Sequence, residues 1–186
     1  MTTSADNPTA PLFLYEISVS TTESVAVERI LKQVDATIHR AGGELIEAQV
    51  ARGGQRVFVV TEFGTGPAPR LDTAGLGDGT VTGPHAVRLV GAELDQVKAS
   101  RPAAGYLVEW DLPADLDMAS YLARKKANAP KYAEVPEVSF LRTYVREDMD
   151  KCLCLYDGPD EAAVRRARQA VNTPIDRLYG LERGRP

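Results

Sequence analysis

The chain echoes itself. LYEIS at residues 14–18 parallels LVEWD at 107–111, and EAQVARGGQRVFVVTEFG at 47–64 parallels RTYVREDMDKCLCLYDGP at 142–159. The two offsets, 93 and 95 residues, nearly agree, which favours duplication of one unit over coincidence. Whatever one copy folds into, the other must be able to fold into as well.

Each copy has the same order of elements. In the first, Leu12 to Val19 is rich in strand formers, and Ser20-Thr21-Thr22-Glu23 matches a helix capping box. A stripe at Val27, Ile30, Leu31, Val34 and Ile38 has the spacing of one buried helix face, closed by Gly42-Gly43. Leu45 to Arg52 and Arg56 to Glu62 read as strands around Gly53-Gly54, and His85 to Gly91 as another. Residues 64–84, rich in Gly, Pro and Thr, read as a long loop with one short turn near Leu71. In the second copy, Gly105 to Asp111 is a strand and Ala114 to Asn128 a helix stopped by Pro130. Val138 to Val145 and Lys151 to Tyr156 are paired strands, Pro159 to Val171 is a helix, and Ile175 to Leu181 is the last strand.

The order is β-α-β-β-(α)-β twice, the ferredoxin-like split βαβ arrangement. The second helix of the first copy has given way to the Gly/Pro loop. The expected domains are a disordered tail at 1–10, a ferredoxin-like half at 11–92, a connector at 93–104 and a second half at 105–183. One four-stranded sheet with helices on a single face leaves its other face bare. Burying that face, at about 25 cal/mol per Å² of apolar area, is the obvious gain. The expected fold is therefore α+β: tandem ferredoxin-like repeats whose two antiparallel sheets form an α+β barrel within one chain.

Strand parity sorts the side chains. Phe13, Tyr15, Ile17 and Val19, with Tyr106, Val108 and Trp110, fall on the helix-covered face, as do Ile46, Ala48 and Val50 with Leu141, Thr143 and Val145. The face turned to the other half carries Leu14, Glu16 and Ser18, then Leu107, Glu109 and Asp111. It also carries Leu45, Glu47 and Gln49, with Phe140, Arg142 and Tyr144; Arg88 and Arg177 are less firmly placed. Charges in a closed space need partners, and Glu109 with Arg142 is the first pairing this parity suggests. Glu16 and Glu109 hold equivalent positions. Two carboxylates sharing one low-dielectric space would split their pKa values and supply an acid and a base. Structural ion pairs would perturb them equally well.

A formal net charge of -4 gives no basic footprint for nucleic acid. No apolar run approaches the roughly 20 residues of a membrane span, and MTTSADNPTA lacks the regions of a secretory signal. Cys152 and Cys154, on one side of a strand, are poor disulfide partners, so a reducing cytoplasm is expected. Their counterparts are Val57 and Val59, which suits a buried core; a thiol or a C-x-C ligand pair is the alternative. His39 sits in the last turn of a helix, where its charge suits the dipole; His85, beside the long loop, is the better catalytic candidate. GLGDG at 75–79 fits no nucleotide fingerprint. Arg165, Arg166 and Arg168 read as a solvated helix face. Arg124, Lys125, Lys126 and Lys131 cluster near a helix end, over which an anionic substrate could enter.

The segment SFLRTYVREDMDKCLCLYDGPDEAAVRRARQAVNTPIDRLYGLE, residues 139–182, together with YLVEWDLP at 106–113, resembles the bacterial domain-of-unknown-function 4242 family. The resemblance covers the second half, with the first half as a diverged echo. It implies a ferredoxin-like fold of the dimeric-barrel kind and, for members labelled nickel-binding, a metal held by adjacent histidines on the first strand and another on the first helix. Here those strand positions read Glu109-Trp110-Asp111, the helix has no histidine, and Cys154 alone remains of that pattern. Carboxylates favour harder cations, so a divalent metal would fall to Glu109 and Asp111, with Cys154.

Three readings stay open on sequence. The first is a small-molecule-binding barrel doing cofactor-free acid–base chemistry of cyclase, isomerase or hydrolase type. There Glu109 is acid or base, Arg142 holds an anion, Tyr144 donates a hydrogen bond, and Glu16 and His85 assist. The second is a metal-binding protein using Glu109, Asp111 and Cys154. The third is a non-catalytic module that dimerises through a sheet edge. No cofactor is implied beyond that metal, no nucleic acid or membrane partner, and a monomer or a homodimer fits equally.

Overall fold

A computed structural model describes residues 10–20, 24–64, 66–72, 79–100 and 103–182. The tail at 1–9, most of the capping box and residues 73–78 lie outside the described residues. Eight strands form one antiparallel sheet: β1 (Leu12–Ser18), β2 (Gly43–Val50), β3 (Arg56–Phe63), β4 (Thr80–Val90), β5 (Tyr106–Asp111), β6 (Ser139–Arg146), β7 (Lys151–Asp157) and β8 (Arg177–Gly180). Four α-helices accompany them: α1 (Ser24–Arg40), α2 (Leu94–Ser100), α3 (Met118–Asn128) and α4 (Glu161–Ala170), with a 3-10 helix at Ala129–Glu134.

The helices start and stop for local reasons. Val27, Ile30, Val34 and Ile38 are buried along one face of α1, which ends at Gly42 with φ at +82°. Gly43 opens β2 under the ring of Phe63; a Cβ there would come within 2.4 Å of it, so only glycine fits. Asp117 caps α3 by accepting a hydrogen bond from the Ser120 N–H at 2.7 Å, so this helix begins at Met118 rather than at Ala114. Asp160 caps α4 through the Ala163 N–H at 2.8 Å. The expected connector after β4 contains the seven-residue helix α2. Strand β4 starts five residues before the expected His85, running through the cis Gly83-Pro84 bond. Its register against β1 slips there, between Leu14 and Glu16, and a bulge is where a strand tolerates a residue with no N–H.

The strand order is β2-β3-β1-β4-β6-β7-β5-β8. Two separate facing sheets were expected. Instead β4 pairs with β6, from Val87 opposite Arg146 to Val90 opposite Thr143, and joins the halves into one sheet. The outermost strands also meet near their ends. The Arg52 N–H donates to the Gly180 carbonyl at 2.7 Å, and the Glu182 N–H to the Val50 carbonyl at 2.8 Å.

The parity assignment holds on the first strand of each half and fails at two β-bulges. One lies between Leu45 and Glu47 in β2, the other between Phe140 and Arg142 in β6. A bulge inserts one residue and flips the parity of what precedes it. Leu45 and Phe140 therefore turn to the helices, and Ile46 and Leu141 turn away from them, opposite to expectation. Three apolar clusters result. One lies under α1, one lies under α3 and α4, and a third gathers Leu12, Leu14, Phe58 and Val60 from the first half with Leu107, Tyr144, Leu153 and Leu155 from the second. Val97 of α2 joins this third, shared cluster.

The shared cluster makes the two halves one cooperative unit. Leu14→Ala, at a fully buried position within it, is expected to cost about 2–5 kcal/mol in urea denaturation, with a single transition retained.

Candidate functional site

The charged residues beside the shared cluster are locked in ion pairs. Arg142 donates from Nε and Nη2 to the two carboxylate oxygens of Glu47, at 2.7 and 2.6 Å. The expected partner of Arg142 was Glu109. Glu47 of β2 and Arg142 of β6, both on the face away from the helices, instead meet each other, 95 residues apart in the chain. The Tyr144 hydroxyl also donates to Glu47, as does the Gln49 amide at 2.8 Å. Burial alone would raise the Glu47 carboxyl; the hydrogen bonds and charge of Arg142, with Tyr144 and Gln49, outweigh it and hold it below its ordinary range. Burial pushes the Tyr144 hydroxyl up, well away from any titration near neutral pH.

Glu109 is fully buried and engaged at both oxygens. Lys151 donates to one at 2.8 Å, and Arg177 to the other. Lys151 also donates to Glu16 at 2.6 Å, and Arg56 pairs with Glu16 at 3.3 Å. The equivalent carboxylates Glu16 and Glu109 are thus brought together as expected, but through a shared ammonium. Burial raises the Glu109 carboxyl and Lys151 and Arg177 lower it, with the lowering dominant. Arg177 continues to Asp111, which is exposed. His85 is partly buried; burial and Arg146 lower its pKa. Arg88 pairs with Glu147 on the surface, and His39 is exposed. Cys154 lies on the helix-covered face and Glu109 on the opposite one, so Glu109, Asp111 and Cys154 do not come together. Among the described residues no group of three His, Cys, Asp or Glu side chains could hold a metal ion.

A pocket lies elsewhere, in the second half, between the helix-covered face of the sheet and α3, the 3-10 helix and α4. It is a cavity of about 210 Å³. Trp110, Tyr121, Tyr132 and Phe140 line it, and Cys154 sits among them. Tyr132 and Phe140 stack with their planes 4° apart and their centroids 5.5 Å apart. Trp110 and Tyr121 form a second pair at 6.1 Å. Its charged lining is entirely basic: Arg124, Lys125, Lys126 and Arg168.

The thiol of Cys154, inside the apolar cluster under α3 and α4, also has polar neighbours. Thr143 Oγ1 lies 3.1 Å away, Arg168 Nη1 3.4 Å and Lys125 Nζ 3.9 Å. The Cys152 thiol, at 4.0 Å, and these two cations lower its pKa well below the ordinary thiol value, against the effect of burial. Cys152 is raised by the same contact and by burial. Both cysteines are free and buried, as their valine counterparts suggest.

Arg168 and Lys125 are the residues sequence reasoning misplaced. Arg168 was grouped with Arg165 and Arg166, its neighbours in sequence. On α4 it belongs to the stripe Val164, Ala167, Arg168, Val171, which is buried throughout. Lys125 follows the buried Tyr121 by one turn of α3 and shares its face. Helical periodicity applied to the charged residues would have found both.

Residues 106–180 match the family described as "Nickel responsive protein SCO4226-like". No curated protein matches the chain. Among solved structures, the crystal structure of "Putative Chlorite dismutase TA0507" is 14% identical, covering 92% of this chain and 95% of that one with a TM-score of 0.53. At that identity the likeness is one of fold: an α+β, ferredoxin-like architecture. No helix among the described residues is long and apolar enough to cross a membrane.

The Glu47–Arg142 pair makes a signed prediction. Arg142→Met strands a buried carboxylate and should cost about 3–5 kcal/mol, while adding Glu47→Gln should restore much of the loss. In the parent, the folded-state pKa of Glu47 lies below its ordinary 4.5. Its contribution is therefore complete above that pH and is lost as pH falls through the depressed folded value. Urea denaturation of the parent and the Glu47→Gln/Arg142→Met variant between neutral and acid pH should show a shallower acid decline in the variant.

Proposed function

We propose that this is a small-molecule-binding protein on a tandem ferredoxin-like α+β barrel, with its binding site inside the second half rather than between the halves. The observation that carries the reading is the aromatic-walled cavity whose lining also holds Cys154, Lys125 and Arg168, with Thr143 hydrogen-bonded behind Lys125 and Cys154. A few converging polar groups within an apolar, concave lining are the usual form of a ligand site. The cavity is smaller than the roughly 300–1,000 Å³ of drug-sized pockets, so its ligand is fragment-sized.

The barrel and its duplication are part of the same reading. Bulges recur at equivalent places in β2 and β6, and β4–β6 pairing in the middle of the sheet is matched by the β2–β8 contact at its two ends. That end-to-end contact also argues against a module that dimerises through a free edge. Two free thiols fit a cytoplasmic setting.

Glu109, Arg142, Tyr144 and Glu16 serve this architecture as ion-paired and hydrogen-bonded struts. Acid–base chemistry at Glu109 would first have to break two charge-assisted bonds.

The family match favours a second reading, nickel binding. The donor set does not fit it. Around Cys154 stand a guanidinium and an ammonium where a dication would need lone pairs, and the carboxylates of Glu109 and Asp111 face away, held by Arg177.

Trp110 is the single tryptophan of the chain and lines the pocket, so its emission reports occupancy. Small one-ring aromatics, titrated to millimolar concentration, should shift that emission and raise the melting temperature; nickel and chelator should change neither. Silence from toluene, benzamide and benzoate alike, or a stabilising response to nickel, would contradict the proposal.

A further inference from the structure

The buried cations of this chain fall into two kinds. Arg142 and Lys151, both buried, are each matched by carboxylates: Glu47 for the first, Glu16 and Glu109 for the second. Arg168 is just as deeply buried, at 1% exposure, and among the described residues no carboxylate lies within ion-pair distance of it. Its Nη1 donates to Cys154 Sγ at 3.4 Å and to the Tyr156 hydroxyl at 3.2 Å, and its Nη2 to the Pro174 carbonyl. Its Nε is buried without any partner. A guanidinium desolvated in this way is costly unless a negative charge answers it, and the acidic group beside it, the Cys154 thiol, is shared with the Lys125 ammonium, one anion between two cations.

The other charges at the pocket add to this demand. Lys125 reaches inward, with Nζ 2.9 Å from Thr143 Oγ1 and 4.6 Å from the centre of the Phe140 ring. Arg124 lies 5.2 Å over the Trp110 ring and donates to the Asn172 carbonyl, and Lys126 lies beside it on α3. No Asp or Glu lines the cavity among the described residues. A chain with 26 acidic against 22 basic residues has thus gathered four cations around one aromatic-walled space and placed no carboxylate there among the described residues.

We propose that the ligand of this pocket is a small planar organic anion, a carboxylate or phenolate on a single aromatic ring. Its charge meets Lys125, with the Arg168 guanidinium at the same lining adding to the positive field, and its ring lies among Trp110, Tyr121, Tyr132 and Phe140. The assignment rests on the pocket reading above and specifies its chemistry. The small volume sets the ring count, the flat aromatic walls favour a flat guest, and charge-assisted hydrogen bonds select the anion. Arg124 and Lys126 at the same lining steer the anion inward.

Benzoate and benzamide share a shape and differ in charge, so the pair isolates the claim. Calorimetric titration into the full chain at neutral pH should give benzoate at least about tenfold tighter binding than benzamide, the difference expected for a charge-assisted bond. Lys125→Met, on a half-exposed face of α3, should fold normally and lose about tenfold for benzoate while leaving benzamide unchanged. Arg168→Lys, which keeps the charge but removes the planar fork, should weaken benzoate further. Benzamide binding as tightly as benzoate, or a Lys125→Met variant that keeps the full preference, would overturn the anion assignment and leave the pocket standing. No heat and no Trp110 response with either compound would overturn both.

Discussion

The buried pairing of Glu47 with Arg142 is the contact on which the arrangement of the two halves turns. It joins β2 and β6 across the shared core, and it is bidentate, with Tyr144 and Gln49 also donating to Glu47. A charge in such a place tolerates only one geometry. Slipping either strand by one residue would turn the partner to the opposite face and strand a desolvated ion. Apolar burial supplies the driving force for closing the halves together, and the ion pair fixes the register in which they close. The Glu16–Lys151–Glu109–Arg177 chain does the same for β1, β5, β7 and β8.

This constraint separates the two faces of the sheet by function. The inner face is occupied by interdigitated apolar side chains and by charges that answer one another. The helix-covered face of the first half is an apolar core under α1, with a cleft of about 500 Å³ beside Ile30, Val34, Leu71 and Val81 that has no aromatic wall. On the helix-covered face of the second half the pattern changes. There a buried arginine has no carboxylate, a lysine reaches inward, and a thiol holds polar neighbours in a space that the aromatic rings do not fill. The first half offers Val57 and Val59 where the second has Cys152 and Cys154.

Much of the fold was legible in the sequence because its signals are local. The stripe of α1, the glycines after it and the alternation of β1 and β5 all read directly. The misreadings share one cause, which is that parity and adjacency were carried past points where geometry resets them. Bulges at Leu45/Glu47 and Phe140/Arg142 flipped the faces of Leu45, Ile46, Phe140 and Leu141. A bulge leaves no residue signature when no glycine marks it. The site was less legible because charge is usually a surface property, so Arg168 was read with its exposed neighbours although its helical phase placed it inside. The pairing of β4 with β6 depends on contacts between the copies, and no local pattern encodes it.

The central claim is spatial: the inner face is closed by its ion pairs, and the open space lies under α3 and α4. The most direct measurement is a crystal structure of the full chain soaked with 4-bromobenzoate, with the bromine located by its anomalous signal. The account predicts one strong peak among Trp110, Tyr132 and Phe140, with the carboxylate toward Lys125 and Arg168. A peak between the halves, beside Glu109 and Arg142 with their ion pairs opened, would contradict it.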